Sequence, residues 1–127
     1  MFKVGIIGAG WIADKMAEAL APLNDYCVYA IASRSLEKAE AFARTWNVPK
    51  AYGSYEEMVA DEDVDLVYIA TPHSHHFPHT MLALEHGKPV LVEKAFTANA
   101  AEAEILLNTA KEKGIFITEA IWTRYMP

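Results

Sequence analysis

The 127 residues carry 17 acidic against 11 basic side chains, and a net charge of −6 has the wrong sign for neutralising a phosphate backbone, so nucleic acid is excluded as a partner. The length suits one domain with its own core, and the single cysteine, Cys27, has no partner in the chain and is expected to be a buried thiol in a reducing compartment. No apolar run reaches the ~18 residues of a membrane span, and the opening "MFKVGIIGAG" lacks the apolar core and cleavage site of a secretory signal, so a soluble cytoplasmic protein without a membrane partner is expected.

Short β-branched runs alternate with amphipathic segments. "KVGIIG" reads as a buried strand, and Trp11 to Leu20 as the following helix, with Trp11, Ile12, Met16 and Leu20 at helical spacing until Pro22 and Asn24 break it. "YCVYAIA" is a second strand. Ser35 can cap a helix through Trp46 whose Leu36, Ala39, Ala43 and Trp46 form one apolar face, with Pro49 beyond its end.

"AYG" is a short third strand, and Ser54 with Glu57 forms a capping box for a brief helix to about Ala60. The acidic turn "DEDVD" leads to "LVYIA", the fourth strand. Pro78 is tolerated only near a helix start, which predicts a helix from Phe77 to His86 that stops at Gly87. "PVLVE" is the fifth strand, Asn99 with Glu102 caps a helix ending at Gly114, and "IFIT" is the sixth strand.

Six near-continuously apolar strands alternating with helices predict an α/β fold, a parallel sheet covered on both faces. Right-handed crossovers in two similar halves give a doubly wound sheet of order 3-2-1-4-5-6, with a ligand crevice at the carboxyl ends of the strands.

The residues at those ends carry the chemistry. Gly8-Ala9-Gly10-Trp11-Ile12-Ala13 matches G-x-G-x-x-A between a strand and a helix: Gly8 permits the turn, Gly10 lets a pyrophosphate approach, and Ala13 allows close packing. Free amides at the helix start would face the phosphates. At the end of the second strand, where an NAD site usually has a carboxylate, stand Ser33 and Arg34, with Lys38 one helical turn on, so a 2′-phosphate is welcomed and NADP(H) is favoured over NAD(H).

The fourth strand ends in "ATPHSHHFPH". His73, His75, His76 and His79 invite a metal reading, but no H-E-x-x-H, cysteine or evident carboxylate ligand accompanies them, so no metal site is predicted and the histidines are taken to line a pocket or the surface. The fifth strand ends in "VEKAFT", which places Glu93 and Lys94 at the carboxyl edge. A lysine there can donate to a hydroxyl or carbonyl oxygen, or transfer a proton.

In order, "VGIIGAGWIA", "ASRSLEKAEAFA", "ATPHSHH", "HGKPVLVEKAFT" and "EAIWTRYMP" together resemble the amino-terminal domain of the glucose-fructose oxidoreductase and inositol dehydrogenase family, Gfo/Idh/MocA; the aromatic closing stretch is similar to its dihydrodiol dehydrogenase branch. The resemblance implies a Rossmann fold and an NAD(P)-dependent oxidoreductase acting on sugars, polyols, diols and related compounds. It implies that Gly8, Gly10, Trp11 and Ile12 meet the pyrophosphate, that Ser33, Arg34 and Lys38 meet the ribose phosphate, and that Thr71, Pro72, His73 and His76 line the nicotinamide side. Glu93-Lys94-Ala95 stands at the family's Glu-Lys-Pro motif, which makes Lys94 the catalytic lysine. Trp122 and Arg124 resemble residues packed against the cofactor. Two residues depart from the family pattern: Ala95 replaces the motif's proline, which bears on how Lys94 is presented, and His73 replaces a common asparagine, which bears on a ribose or nicotinamide contact.

The resemblance also implies that residues 1–120 are the nucleotide-binding domain and that 121–127 begin the crossing to a second domain bearing the substrate pocket and the homo-oligomer interface. The chain is therefore expected to be a fragment that holds cofactor but does not turn over alone. Two other readings are a nucleotide-sensing module without chemistry and a metal-binding protein using the histidines.

Overall fold

The computed structural model describes residues 2–71, 75–93 and 100–120, and within them strands and helices alternate. The order is β1 (Phe2–Ile7), α1 (Trp11–Leu20), β2 (Tyr26–Ala32), α2 (Leu36–Trp46), β3 (Lys50–Tyr52), α3 (Tyr55–Val59), β4 (Leu66–Ile69), α4 (His76–Glu85), β5 (Val90–Glu93), α5 (Ala100–Lys113) and β6 (Ile117–Ala120). The strands form one sheet in the order β3-β2-β1-β4-β5-β6, with every neighbouring pair parallel, as the crossover argument requires.

Side-chain alternation along the central strands feeds two separate cores. Val4, Ile6, Ile31 and Tyr68 point to the face covered by α1 and α2, where Ala13, Ala17, Ala39 and Phe42 meet them. Ile7, Ala30, Ala32, Val67, Ile69, Val90 and Val92 point to the other face, against Met58 and Val59 of α3, Ala83 and Leu84 of α4, and Leu106 and Ala110 of α5. Burial on both faces is why these strands read as unbroken apolar runs. Leu84 and Leu106 are fully buried, and each contributes roughly 1.5–3 kcal/mol on that account.

Glycine inside β1 has a packing reason. Register slips between Val4 and Gly5, and Tyr29 of β2 is the extra residue. A Cβ on Gly5 would lie 3.0 Å from both Met58 Sδ and Val64 Cγ1, so the bare backbone admits α3 and the loop after it. That loop, the acidic "DEDVD" turn, is tied down by a group the sequence did not single out. Lys88 Nζ donates to the carbonyls of Asp61 at 2.7 Å and Val64 at 2.9 Å. The Tyr52 hydroxyl donates to the Asp61 carboxylate at 2.7 Å; burial first, and then this bond, push that phenol up to about 12.

Several expectations are corrected. Trp11 lies on no apolar face: it is 68% exposed, and α1 buries Ala13 and Ala17 instead. Leu36 is likewise exposed, and α2 buries Ala39 and Phe42. Cys27 is only half-buried, since it sits near the start of β2 in a groove beside the last turns of α1 and α2. The box at α3 closes differently: Ser54 Oγ accepts from the Glu57 amide, but its hydroxyl donates to Glu56, not Glu57. A backbone amide and this hydroxyl hold the Glu56 carboxyl below its usual range.

The sixth strand starts two residues later than "IFIT" predicts. The Ile115 amide donates to Ala110 O at the end of α5, after Gly114 turns at φ +67°, so that residue is taken up by the helix terminus. Pairing with β5 then begins at Val90 opposite Ile117.

Candidate functional site: the crevice between β1 and β4

The sheet order reverses direction between β1, which continues to β2, and β4, which continues to β5. The two strand ends here touch. Gly8 follows β1 at φ +101°, a conformation that side chains disfavour, and its amide donates to Ala32 O at 2.8 Å. A Cβ on Gly8 would lie 2.9 Å from Thr71 Cγ2 and 3.1 Å from the Thr71 amide nitrogen. Thr71 is the second residue after β4, and the Ala70 amide donates to Ile7 O at 2.9 Å, so the two turns are laced together at their bases.

Gly10 meets the opposite circumstance. It is the N-cap of α1, no side chain caps that helix, and a Cβ there would meet nothing within 4 Å. The open volume above Gly10 and the uncapped amides of the first turn suit an anionic group approaching the backbone. Ala13, one turn in, has no exposed surface, which seats α1 against the strand. Ile12 is half-buried, while Trp11 is exposed, with Lys15 Nζ 5.5 Å from its ring centroid.

At the end of β2, Ser33 is buried, its amide donates to Tyr52 O, and its Oγ accepts from the Ser35 amide at 3.2 Å. With one lone pair so used, its hydroxyl hydrogen is left to donate elsewhere. Ser35 caps α2 by accepting from the Lys38 amide. The side chains of Arg34 and Lys38 are exposed beside this turn.

The histidines of α4 converge on Thr71. His76, with no exposed surface, donates from Nε2 to the Thr71 carbonyl at 2.7 Å, and a carbonyl can only accept, which fixes that hydrogen. His79 Nδ1 shares a 2.9 Å hydrogen bond with Thr71 Oγ1, and its ring lies 4.5 Å from Tyr55 and 5.5 Å from His75. Burial pushes His79 down to about 4, the charges of His75, His76 and Arg34 push the same way, and Glu56 opposes them. The i, i+3 spacing of His76 and His79 in the sequence is the signal that both face one strand end.

Among the described residues no group of three or more His, Cys, Asp or Glu side chains is placed to hold a metal ion. Pro72, His73, Lys94, Ala95, Trp122 and Arg124 lie outside the described residues, and Glu93 is described only as the last residue of β5.

The family model described as "Oxidoreductase family, NAD-binding Rossmann fold", GFO_IDH_MocA, matches residues 2–120. The chain belongs to this family. It is an NAD(P)-binding domain of the Gfo/Idh/MocA oxidoreductases. The trans-1,2-dihydrobenzene-1,2-diol dehydrogenase of Mus musculus is 46% identical over 97% of the chain, and the D-xylose 1-dehydrogenase (NADP(+)) of Hypocrea jecorina 50% identical over 98%. The chain spans 38% and 35% of their lengths. Among solved structures, a 3-ketoreductase from Actinomadura kijaniata in complex with TDP-benzene and NADP superposes with a TM-score of 0.93 at 32% identity, covering 99% of this chain and 40% of that one. Within the family domain, no described helix is long and apolar enough to cross a membrane.

Proposed function

We propose that this Gfo/Idh/MocA domain is the cofactor-holding part of an oxidoreductase that moves hydride between NADP(H), with NAD(H) as the weaker alternative, and a hydroxyl or carbonyl of a sugar, polyol or diol. The observation that carries the reading is the pairing of a sealed glycine with an open one: Gly8 is closed against Thr71, while Gly10 leaves space above uncapped helix amides. The named relatives, a diol dehydrogenase and an NADP xylose dehydrogenase, support the substrate class.

Bound nicotinamide would supply the hydride donor or acceptor; the protein supplies orientation and electrostatics. In this reading Gly8, Gly10, Trp11 and Ile12 present backbone to the pyrophosphate. Ser33 donates its hydroxyl, and Arg34 and Lys38 bring positive charge to the 2′-phosphate. Thr71, Pro72 and His73 border the nicotinamide side with Glu93, His76 stands behind them and acts through the Thr71 carbonyl, and Trp122 and Arg124 pack on the cofactor. Lys94 directly follows β5 and hydrogen-bonds or protonates the reacting oxygen.

Residues 1–120 form the nucleotide domain and 121–127 cross to a second domain that completes the substrate pocket and a homo-oligomer interface. We place the protein in the cytoplasm, on its lone cysteine, and assign it no nucleic-acid partner. The test is turnover of trans-dihydrodiols and aldoses with NADP⁺ by the longest polypeptide containing this domain. Lys94→Ala should cut kcat by roughly a hundredfold or more while changing the NADPH Kd by less than about threefold. Cofactor binding with no turnover on any diol or sugar would instead make the protein a nucleotide sensor.

A further inference from the structure

We propose that His79 is a positioning residue for the glycine turn, acting through the hydroxyl of Thr71; the inference rests on the cofactor reading above. Thr71 is held at three points. Its carbonyl accepts from His76, its hydroxyl shares a bond with His79, and its methyl faces the place where Gly8 lacks a side chain. A threonine side chain has few rotamers, and rotation of χ1 moves hydroxyl and methyl together. With Oγ1 turned to His79, Cγ2 is the group left against Gly8. Released from His79, the hydroxyl can rotate away and take the methyl with it, and the wall behind Gly8 is lost.

The imidazole is itself fixed. It is packed against Tyr55, the first residue of α3, at 4.5 Å and 58°, and against His75 at 5.5 Å. Pro78, the preceding residue, restricts the backbone in the first turn of α4. A chain of contacts therefore runs from α3 through His79 and Thr71 to the turn after β1. None of its members except Gly8 and Thr71 needs to touch the cofactor. The turn meets the pyrophosphate, which NADPH and NADH share, so the effect of His79 is blind to the 2′-phosphate. This separates it from Arg34.

The test compares His79→Leu, His79→Asn, Thr71→Val and the Leu/Val double variant by calorimetric titration with NADPH and NADH, with amide exchange at Gly8 followed in parallel. Leucine removes the bond; asparagine can place an amide near the Nδ1 position; valine keeps the shape of threonine without its hydroxyl. His79→Leu and Thr71→Val should each weaken both nucleotides by the same factor, about five- to tenfold, and the double variant should lose no more than either alone. His79→Asn should bind within about twofold of the unaltered protein, and the Gly8 amide should exchange faster in the Leu and Val variants.

Unchanged affinity in a folded His79→Leu, or losses that add in the double variant, overturns the proposal. Should His79→Leu fail to fold, Thr71→Val carries the same test. If the unaltered protein binds neither nucleotide, the proposed function fails first, and Gly8 exchange still decides the positioning role: faster in both variants upholds it, unchanged removes it.

Discussion

The methyl group of Thr71 occupies the space that a side chain at Gly8 would need, 2.9 Å from the position of the absent Cβ. Two constraints thus meet at one residue, a positive φ and a closed wall. Gly8→Ala should lower stability by roughly 2–4 kcal/mol, the sum of backbone strain and a clash. Adding Thr71→Ser removes the methyl but not the strain, so it should restore only part of the loss. A thermal melt of the two variants decides this; equal melting temperatures for Gly8→Ala and the unaltered protein would contradict the contact.

The half-buried His79 ties stability to mild acid. Its folded value of about 4 lies below the ordinary 6.5, so the unfolded chain binds the proton more readily and stability falls as pH drops from about 6.5 towards 4. Above 6.5 the ring is neutral in both states and contributes no slope. After allowance for solvent around a half-exposed group, the loss attributable to His79 should be about 1–2 kcal/mol. Denaturant midpoints at pH 7.5 and 5 should differ less in His79→Asn than in the unaltered protein; identical shifts would assign the acid sensitivity elsewhere.

Thr80 in α4 is fully buried, and its hydroxyl has no hydrogen-bond partner among the described residues. A desolvated hydroxyl without a partner is a standing cost, and valine has the same shape. Thr80→Val should therefore be neutral or raise stability by about 1 kcal/mol, measured as a shift in denaturant midpoint at unchanged slope. A clear destabilisation would show that the hydroxyl is satisfied.

Local signals made much of the fold readable. Trp11–Leu20 and Tyr26–Ala32 were bounded by the glycine turn, Pro22 and Asn24, and the Ser35 cap is made as its position before Leu36 predicts. The near-continuous apolar runs of β1, β2 and β4 told the sheet's two-sided burial, because both faces of each strand are packed. What failed depended on partners distant in sequence. Nothing in "WIADKM" says that α1 turns Ala13 and Ala17 inward and leaves Trp11 exposed, and nothing in "IFIT" says that Ile115 belongs to a helix terminus. In the site, Gly8 and Gly10 were found together by spacing, but their opposite surroundings, one sealed and one open, arise from the approach of β4. The Thr71–His79 bond spans a loop, and only the shared helical face of His76 and His79 hinted at it.

The most direct test of the central claim is a parallel calorimetric titration of this protein with NADPH and NADH, repeated on Arg34→Ala. A charge-assisted contact contributes on the order of 1.5–3 kcal/mol, so NADPH should bind about ten- to a hundredfold tighter than NADH, and the variant should lose that preference while still binding NADH. Binding of neither nucleotide would contradict the account.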